Sequence, residues 1–494
     1  MKFSWPLFGV ILFWELLSYL SYSTPLAQSI LFVIICLTVL LTAGWDFKKG
    51  LLVGLLELFI GGFGYLFSWQ SYGPKISLRI GLFLILMTVG LIKIIKQKKV
   101  WVINSLFFKS LIWLGSILIL GVILAFLNHQ TPLSIFLDGN AFIFLLYFWL
   151  FSQFFRSLQD LKELFVVFKT VVFWLSCKII GSFILFVSGS TLFGGYFYKW
   201  IRDTRLGEIT EINQGVYRIF FQSAIFLVFY LLIYYSQLIV IEKNKINWVG
   251  SVIVWAAILI TLSRSFWLGM ALGLCLLFVL SFIFLRIKFK RLLKIFGQIL
   301  VQMIMAVFVL ILIITLAHPS HNPKLLLNVF GKRAAISGDA AISTRTAELA
   351  PLITTIKQHP FWGYGFGKTI TFISDDPRVR AINPTGVYTT YALEWGWLDL
   401  VLKIGLIGVL IFLNLIWQMA KKSWFLVKKM ILKNKSYESE SGLVLGLFIT
   451  LISLSIIHFF TPYLNHPLGL GWLAITLAAL DVFYLVNFKP INKF

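Results

Sequence analysis

Long apolar runs alternate with short polar connections along nearly the whole chain. A helix needs about 17–25 predominantly apolar residues to cross a bilayer. Runs of that kind lie near 5–22, 25–44, 50–69, 78–95, 104–127, 139–155, 163–188, 216–241, 246–262, 266–285, 296–317, 397–417, 441–460 and 467–487. The pattern predicts an all-α polytopic membrane protein with about fourteen transmembrane helices. Two connections exceed what a turn requires, 189–215 and 318–396. Unstructured loops as long as the second are uncommon and are usually functional or disordered. This one carries aromatics and glycines at fixed spacing, which argues against disorder. Within it, 344–358 reads as a short amphipathic surface helix. Ser343 or Thr344 caps it, Glu348 sits in its first turn, Leu349, Ile353 and Ile356 form its apolar stripe, and Pro360 stops it. The chain divides into N-terminal helices (1–188), central helices with the shorter loop (189–317), the large loop (318–396) and C-terminal helices (397–494).

Composition agrees with this class. Of 494 residues, 59% are hydrophobic and 13% charged, against about 25% charged in soluble domains. The net charge of +24 raises the question of nucleic acid, but its distribution answers it. With the first helix starting in the cytoplasm, Lys48 and Lys49, then Lys93, Lys96, Lys98 and Lys99, fall inside. So do Arg156 and Lys162, Lys243 and Lys245, the run Arg286 to Lys294, the run Lys421 to Lys435, and Lys489 with Lys493. Basic clusters confined to one side follow the positive-inside rule. The charge therefore reports topology and membrane lipids, with no nucleic-acid partner. Both termini are expected in the cytoplasm, and both long loops outside. The first span reads as a retained anchor. Cys36, Cys177 and Cys275 lie in apolar runs and suggest neither disulfides nor a metal site.

The candidate chemistry gathers on the outer side. Arg264 ends the stretch Thr261-Leu262-Ser263-Arg264 at a helix boundary. It is either an interface anchor or a ligand for a diphosphate, whose oxygens match the guanidinium fork. Arg205 and Arg218 lie in and just after the shorter loop, with Arg202 beside them. They read either as solvated charges balanced by Asp203, Glu208 and Glu211 or as further cations of the same site. Arg345 opens the surface helix. Gly363, Gly365 and Gly367 read as a tight turn more readily than as a nucleotide loop, because no strand precedes them. Glu394 stands where the chain enters the membrane, as a helix-start acid or a general base. Asp399 and Lys403, four apart, are expected to pair. Glu15, Glu57, Lys178, His458 and Asp481 lie deeper, with Lys178 and Glu57 a possible pair. Such groups keep a transporter reading open.

The order of these features resembles the O-antigen ligase and polysaccharide polymerase family of bacterial envelope enzymes. The resemblance rests on Thr261-Leu262-Ser263-Arg264-Ser265, then Ser343-Thr344-Arg345, then His359-Pro360-Phe361-Trp362-Gly363-Tyr364-Gly365-Phe366-Gly367. The span from Gly396-Trp397-Leu398-Asp399-Leu400 to Gly405-Leu406-Ile407-Gly408 follows, and a last pair of spans flanks 461–467. It covers roughly 205–480. It implies a multi-helical glycosyltransferase-C-like fold in the bacterial cytoplasmic membrane, with its site open to the outside. The implied donor is a polyprenyl-diphosphate-linked glycan, and the acceptor another lipid-linked glycan or a different acceptor, a lipid or the wall. Arg264 would hold the diphosphate with support from Arg345, Arg205 and Arg218, and no metal or other cofactor is required. Ligases of the family carry a histidine just before the span after the large loop. Glu394 stands at that position here, which favours a polymerase and makes Glu394 the candidate base. Inversion at the anomeric carbon is expected. Three readings follow: polymerase, ligase, or transporter of a lipid-linked sugar or anionic solute.

Overall fold

The computed structural model describes residues 3–70, 75–98, 100, 105–189, 191–213, 215–241, 247–317, 331, 340–433 and 438–488. Helices α1 to α5 are Trp5–Ser21, Pro25–Trp45, Phe47–Ile60, Leu78–Gln97 and Phe108–Leu127. Next come α6 (Pro132–Gly139), a 3-10 turn (Asn140–Leu146), α7 (Tyr147–Phe154), α8 (Leu158–Val187) and α9 (Thr191–Asp203). Helices α10 to α13 are Ile225–Val240, Trp248–Ile260, Arg264–Ile283 and Phe289–Ala317. In the large loop lie α14 (Ala340–Gln358) and α15 (Pro377–Ile382), followed by α16 (Gly396–Lys433), α17 (Glu438–Phe460) and α18 (Pro467–Phe488). Three two-stranded antiparallel ribbons complete the described residues: β1 (Ser68–Trp69) with β2 (Ile76–Ser77), β3 (Gly207–Asn213) with β4 (Val216–Phe221), and β5 (Ile370–Ile373) with β6 (Val387–Thr390).

Among the described residues, eleven helices are long and apolar enough to cross a membrane. The protein is a multi-pass membrane protein. The expected count of about fourteen is not reproduced, for local reasons. Trp5–Ser21 and Trp248–Ile260 are apolar but shorter. The stretch read as 50–69 ends as a helix at Ile60. Gly62 and Gly64 then take φ +55° and +91°, where glycine avoids the Cβ penalty, and the chain turns into β1. The stretch read as 216–241 remains one of the eleven but is shortened, because Val216–Phe221 pairs as a strand with Gly207–Asn213 before α10 starts. The 189–215 connection is accordingly a helix plus half a hairpin rather than an irregular loop.

Helices α10 and α18 form the centre of the bundle, and almost every residue of α18 from Leu468 to Phe483 is buried. Trp472 is its largest anchor, with Phe168 and Phe229 each 4.9 Å from it between ring centroids. Four deep charges form two ion pairs. The possible Lys178–Glu57 pair is corrected: Lys178 binds Glu15 at 2.7 Å, and Glu57 binds Arg79 at 2.9 Å. Each carboxylate takes the cation that reaches it from a neighbouring helix, and an unpaired ion at that depth would be costly. The Lys178 ammonium also lies 5.0 Å from the Trp200 ring and 4.7 Å from Phe221. It thereby ties α9 and β4, the elements carrying the arginines, onto α1 and α8.

Candidate functional site

Helix α14 lies across the start of α16. Leu352, Tyr364, Ile370, Phe372, Leu393 and Leu402 form the small core beneath it, separate from the bundle core. The helix begins at Ala340 rather than 344, so Ser343 and Thr344 fall inside it and do not cap it. Thr344 instead shares a hydrogen bond of 3.3 Å with Ser374, next to the β5–β6 ribbon. One turn of α14 grips the entrance to α16. Arg345 Nε donates to Glu394 Oε2 at 2.5 Å. Glu348, three residues on and so on the same helix face, accepts the Glu394 main-chain N–H at 3.1 and 3.3 Å. Trp395 Nε1 donates back to the Arg345 carbonyl at 2.9 Å. Glu348 is 1% exposed. Burial is the main reason its carboxyl is pushed up to about 7; the Glu394 and Asp399 charges add to this, while the Glu394 N–H and Arg345 oppose it.

The glycine run has a structural task. Gly405 leaves helical geometry inside α16 (φ 68°, ψ 176°), which frees main-chain groups on both sides of the break. Tyr364 and Gly365 donate to the Leu402 and Lys403 carbonyls at 2.8 and 3.0 Å. Leu406 and Ile407 donate to the Pro360 and Phe361 carbonyls at 2.9 and 3.2 Å. The segment 360–365 thus replaces the missing helix bonds, and broken helices are tolerated where protein does this. The tight-turn expectation holds, since Gly363, Gly365 and Gly367 all have positive φ. Gly367 N–H goes to Asp138 Oδ2 at 2.7 Å. Asp138 in turn binds Lys403 at 2.5 Å, Lys403 binds Asp399 at 2.8 Å, and Asn465 Nδ2 donates to Asp399. The expected Asp399–Lys403 pair is therefore half of a larger buried group joining α6, the loop, α16 and the α17–α18 turn.

The arginines arrive at this end of the bundle from three elements. Arg264 opens α12 after Leu262, whose φ is +46°. Arg218 on β4 donates from Nε to the Thr261 carbonyl at 3.0 Å and lies 4.7 Å from the Phe220 ring. The structure thus brings Arg218 to the turn that carries Arg264. Ser265 bonds Thr461 at 3.0 Å, and the Phe460 ring lies tilted, 6.0 Å between centroids, against Trp395, beside Glu394. That chain of contacts joins the Arg264 turn to the Arg345–Glu394 pair. Arg205 has φ +52°, and its guanidinium lies 5.3 Å from the Tyr65 ring. Its charge is felt at Tyr391, where burial, then Asp138, raises the phenol pKa and Arg205 and Lys403 oppose. Arg345 is held by the Glu394 carboxylate.

Reading the sequence missed Glu348 and Asp138. Glu348 looked like an ordinary first-turn acid. The only signal was that it lies three residues after Arg345, on the same helix face. Asp138 lay at the edge of an apolar run and gave no spacing signal.

No curated protein matches the chain. A family model does match, and its segment runs from α11 through the Arg264 turn, the large loop and Glu394 into α16, leaving Arg205 and Arg218 outside. Residues 249–413 match the family model of the O-antigen ligase domain (Wzy_C), a match consistent with the O-antigen ligase and polymerase family.

Proposed function

We propose that this protein polymerises oligosaccharide repeat units carried on polyprenyl diphosphate, at the outer face of the bacterial cytoplasmic membrane. The family domain supports a glycan-transferring role in the membrane. What carries the finer reading is the grip of Arg345 and Glu348 on Glu394, joined through Trp395, Phe460 and Thr461 to the Arg264 turn. This sets a carboxylate and a group of guanidiniums at one end of the bundle.

The chemistry is a direct displacement. The acceptor hydroxyl oxygen bonds to the anomeric carbon of the donor sugar. The bond from that carbon to the diphosphate oxygen breaks, and its electron pair leaves with the diphosphate. The hydroxyl proton passes to the Glu394 carboxylate. Arg264, with Arg218 and Arg205, stabilises the charge that develops on the leaving group. Guanidiniums supply the charge for which a metal would otherwise serve. Arg345 has a second task. A diphosphate that reaches it competes with Glu394, and winning that competition releases the carboxylate to take a proton. Direct displacement inverts the anomeric configuration.

The ligase reading shares this chemistry and is favoured by the description of the matched family model, O-antigen ligase. Glu394, in place of the histidine of family ligases, favours the polymerase. The test is made in producing cells lacking the gene, complemented with wild type, Arg264→Ala or Glu394→Gln. Loss of a donor at a developing anion costs about 10²–10³-fold in rate, and loss of a general base about 10²–10⁴-fold. Both variants, at normal protein level, are expected to accumulate single repeat units on the carrier and to lose the long polymer. Long polymer stranded on the carrier would establish the ligase. Unchanged pools would overturn both and return the transporter.

A further inference from the structure

We infer that Glu348 is a positioning residue of the transfer site, fixing Glu394 from the main-chain side while Arg345 fixes it from the side-chain side. This rests on the reading of Glu394 as the proton acceptor. Glu394 lies two residues before α16 begins, so no helix of its own sets its direction. Its position is set by Glu348 on its N–H at 3.1 and 3.3 Å, and by Arg345 on its carboxylate at 2.5 Å. The Trp395 indole locks the same turn of α14 to the next residue at 2.9 Å. Reacting groups must be held to within a fraction of an ångström, and a misplacement of about 1 Å costs on the order of a hundredfold in rate.

A carboxyl is an expensive way to accept one N–H. Glu348 is 1% exposed and neighbours an apolar core that includes Leu352, Leu393 and Leu402. Burying it costs free energy that a glutamine amide would largely avoid. What only a carboxyl adds is a charge that can come and go. The groups facing it are Arg345 on its own helix, Glu394 at the turn and Asp399 on α16. One cation thus stands against two other acids. With its proton affinity raised by burial to about 7, Glu348 loses its proton near neutrality. Below that pH it is neutral and leaves Arg345 wholly to Glu394. Above it, the new negative charge draws on Arg345 and repels the Glu394 carboxylate, which raises the basicity of Glu394. Transfer is therefore expected to rise with pH through about 7.

The experiment uses the full-length protein in lipid nanodiscs, with carrier-linked repeat units extracted from the producing cells. Initial rates are measured from about pH 5 to pH 9 for wild type, Glu348→Gln, Glu348→Ala and Glu394→Gln, a range that spans the base and its neighbours. Glu348→Ala is expected to lower kcat about tenfold to a hundredfold with KM for the donor little changed. Glu348→Gln keeps an acceptor for the N–H but stays neutral, so it is expected to match the wild-type rate below pH 7, to exceed Glu348→Ala there, and to lose the rise through about 7. That pair of results supports positioning with titration. If Glu348→Gln keeps the limb, or Glu348→Ala matches wild type while Glu394→Gln is inactive, Glu348 has no such role and the reading of Glu394 stands. If Glu394→Gln is fully active, the underlying reading fails and takes this one with it. A Glu348→Ala protein that does not fold leaves the Glu348→Gln profile to decide.

Discussion

Lys403 is the residue on which the large loop and the bundle agree. Its ammonium meets Asp138 at 2.5 Å and Asp399 at 2.8 Å, with all three side chains almost wholly buried. Removing it would leave two carboxylates facing each other with no cation, and breaking a buried pair in that way costs roughly 3–5 kcal/mol. Lys403→Met is therefore expected to unfold at a clearly lower temperature in detergent, and adding Asp138→Asn with Asp399→Asn should recover part of the loss. A single variant as stable as wild type would mean that the group is not ionised as a pair. Half of this group can be read from the sequence, because Asp399 and Lys403 stand one helical turn apart. Asp138 cannot, because it lies 265 positions before Lys403 and only the folded loop brings them together. Arg345 and Glu394 were each recognisable alone. Their contact was not, since 49 residues separate them. The importance of Glu348 depends on which end of α16 is laid against it, which no local pattern encodes.

At the scale of elements, the break in α16 and the segment 359–367 are one construction. A helix interrupted at Gly405 would leave carbonyls and N–H groups unsatisfied, and the loop returns four main-chain hydrogen bonds to them through Tyr364, Gly365, Leu406 and Ile407. Only a backbone without side chains fits between α5 and α16. A Cβ at Gly365 would stand 2.2 Å from the Ala125 nitrogen, at a φ of +85°. Gly365→Ala is thus expected to unseat the segment, and with it α14 and the grip on Glu394. Hydrogen exchange should quicken over 359–396 while α10 and α18 stay protected, and transfer should fall with them. Unchanged exchange would show that the loop is held by its small core alone. The glycines were legible as a turn from their spacing. Their partner was not, because Gly405 sat within an apolar stretch that reads as continuous helix. The β3–β4 ribbon was hidden for a related reason. Val216 to Phe221 is apolar and runs directly into α10, so its two-residue period was absorbed into a predicted span.

For the whole molecule, the arrangement makes sense only if its two ends face different compartments. Lys421, Lys422, Lys428 and Lys429 cluster far along α16, while Gly396 at the other end of that helix meets the large loop. The loop, the β3–β4 ribbon and the 461–466 turn converge where the arginines lie, through Thr461 with Ser265 and Arg218 with Thr261. Charge asymmetry is the sequence's signal of orientation, because it is set by insertion into the membrane rather than by packing. It survives errors in the number of spans, provided that the missed or shortened segments do not reverse the sides. That condition can be checked directly. In a background with Cys36, Cys177 and Cys275 replaced, a cysteine is placed at the exposed Asp375 or at the exposed Lys421. In intact spheroplasts, Asp375→Cys is expected to react with a membrane-impermeant maleimide, and Lys421→Cys only after the membrane is opened. The reverse pattern would put the arginine end in the cytoplasm. A carrier-linked donor would then be met before it is flipped outward, and the proposed outer-face polymerisation would have to be abandoned even if every contact at Glu394 were correct.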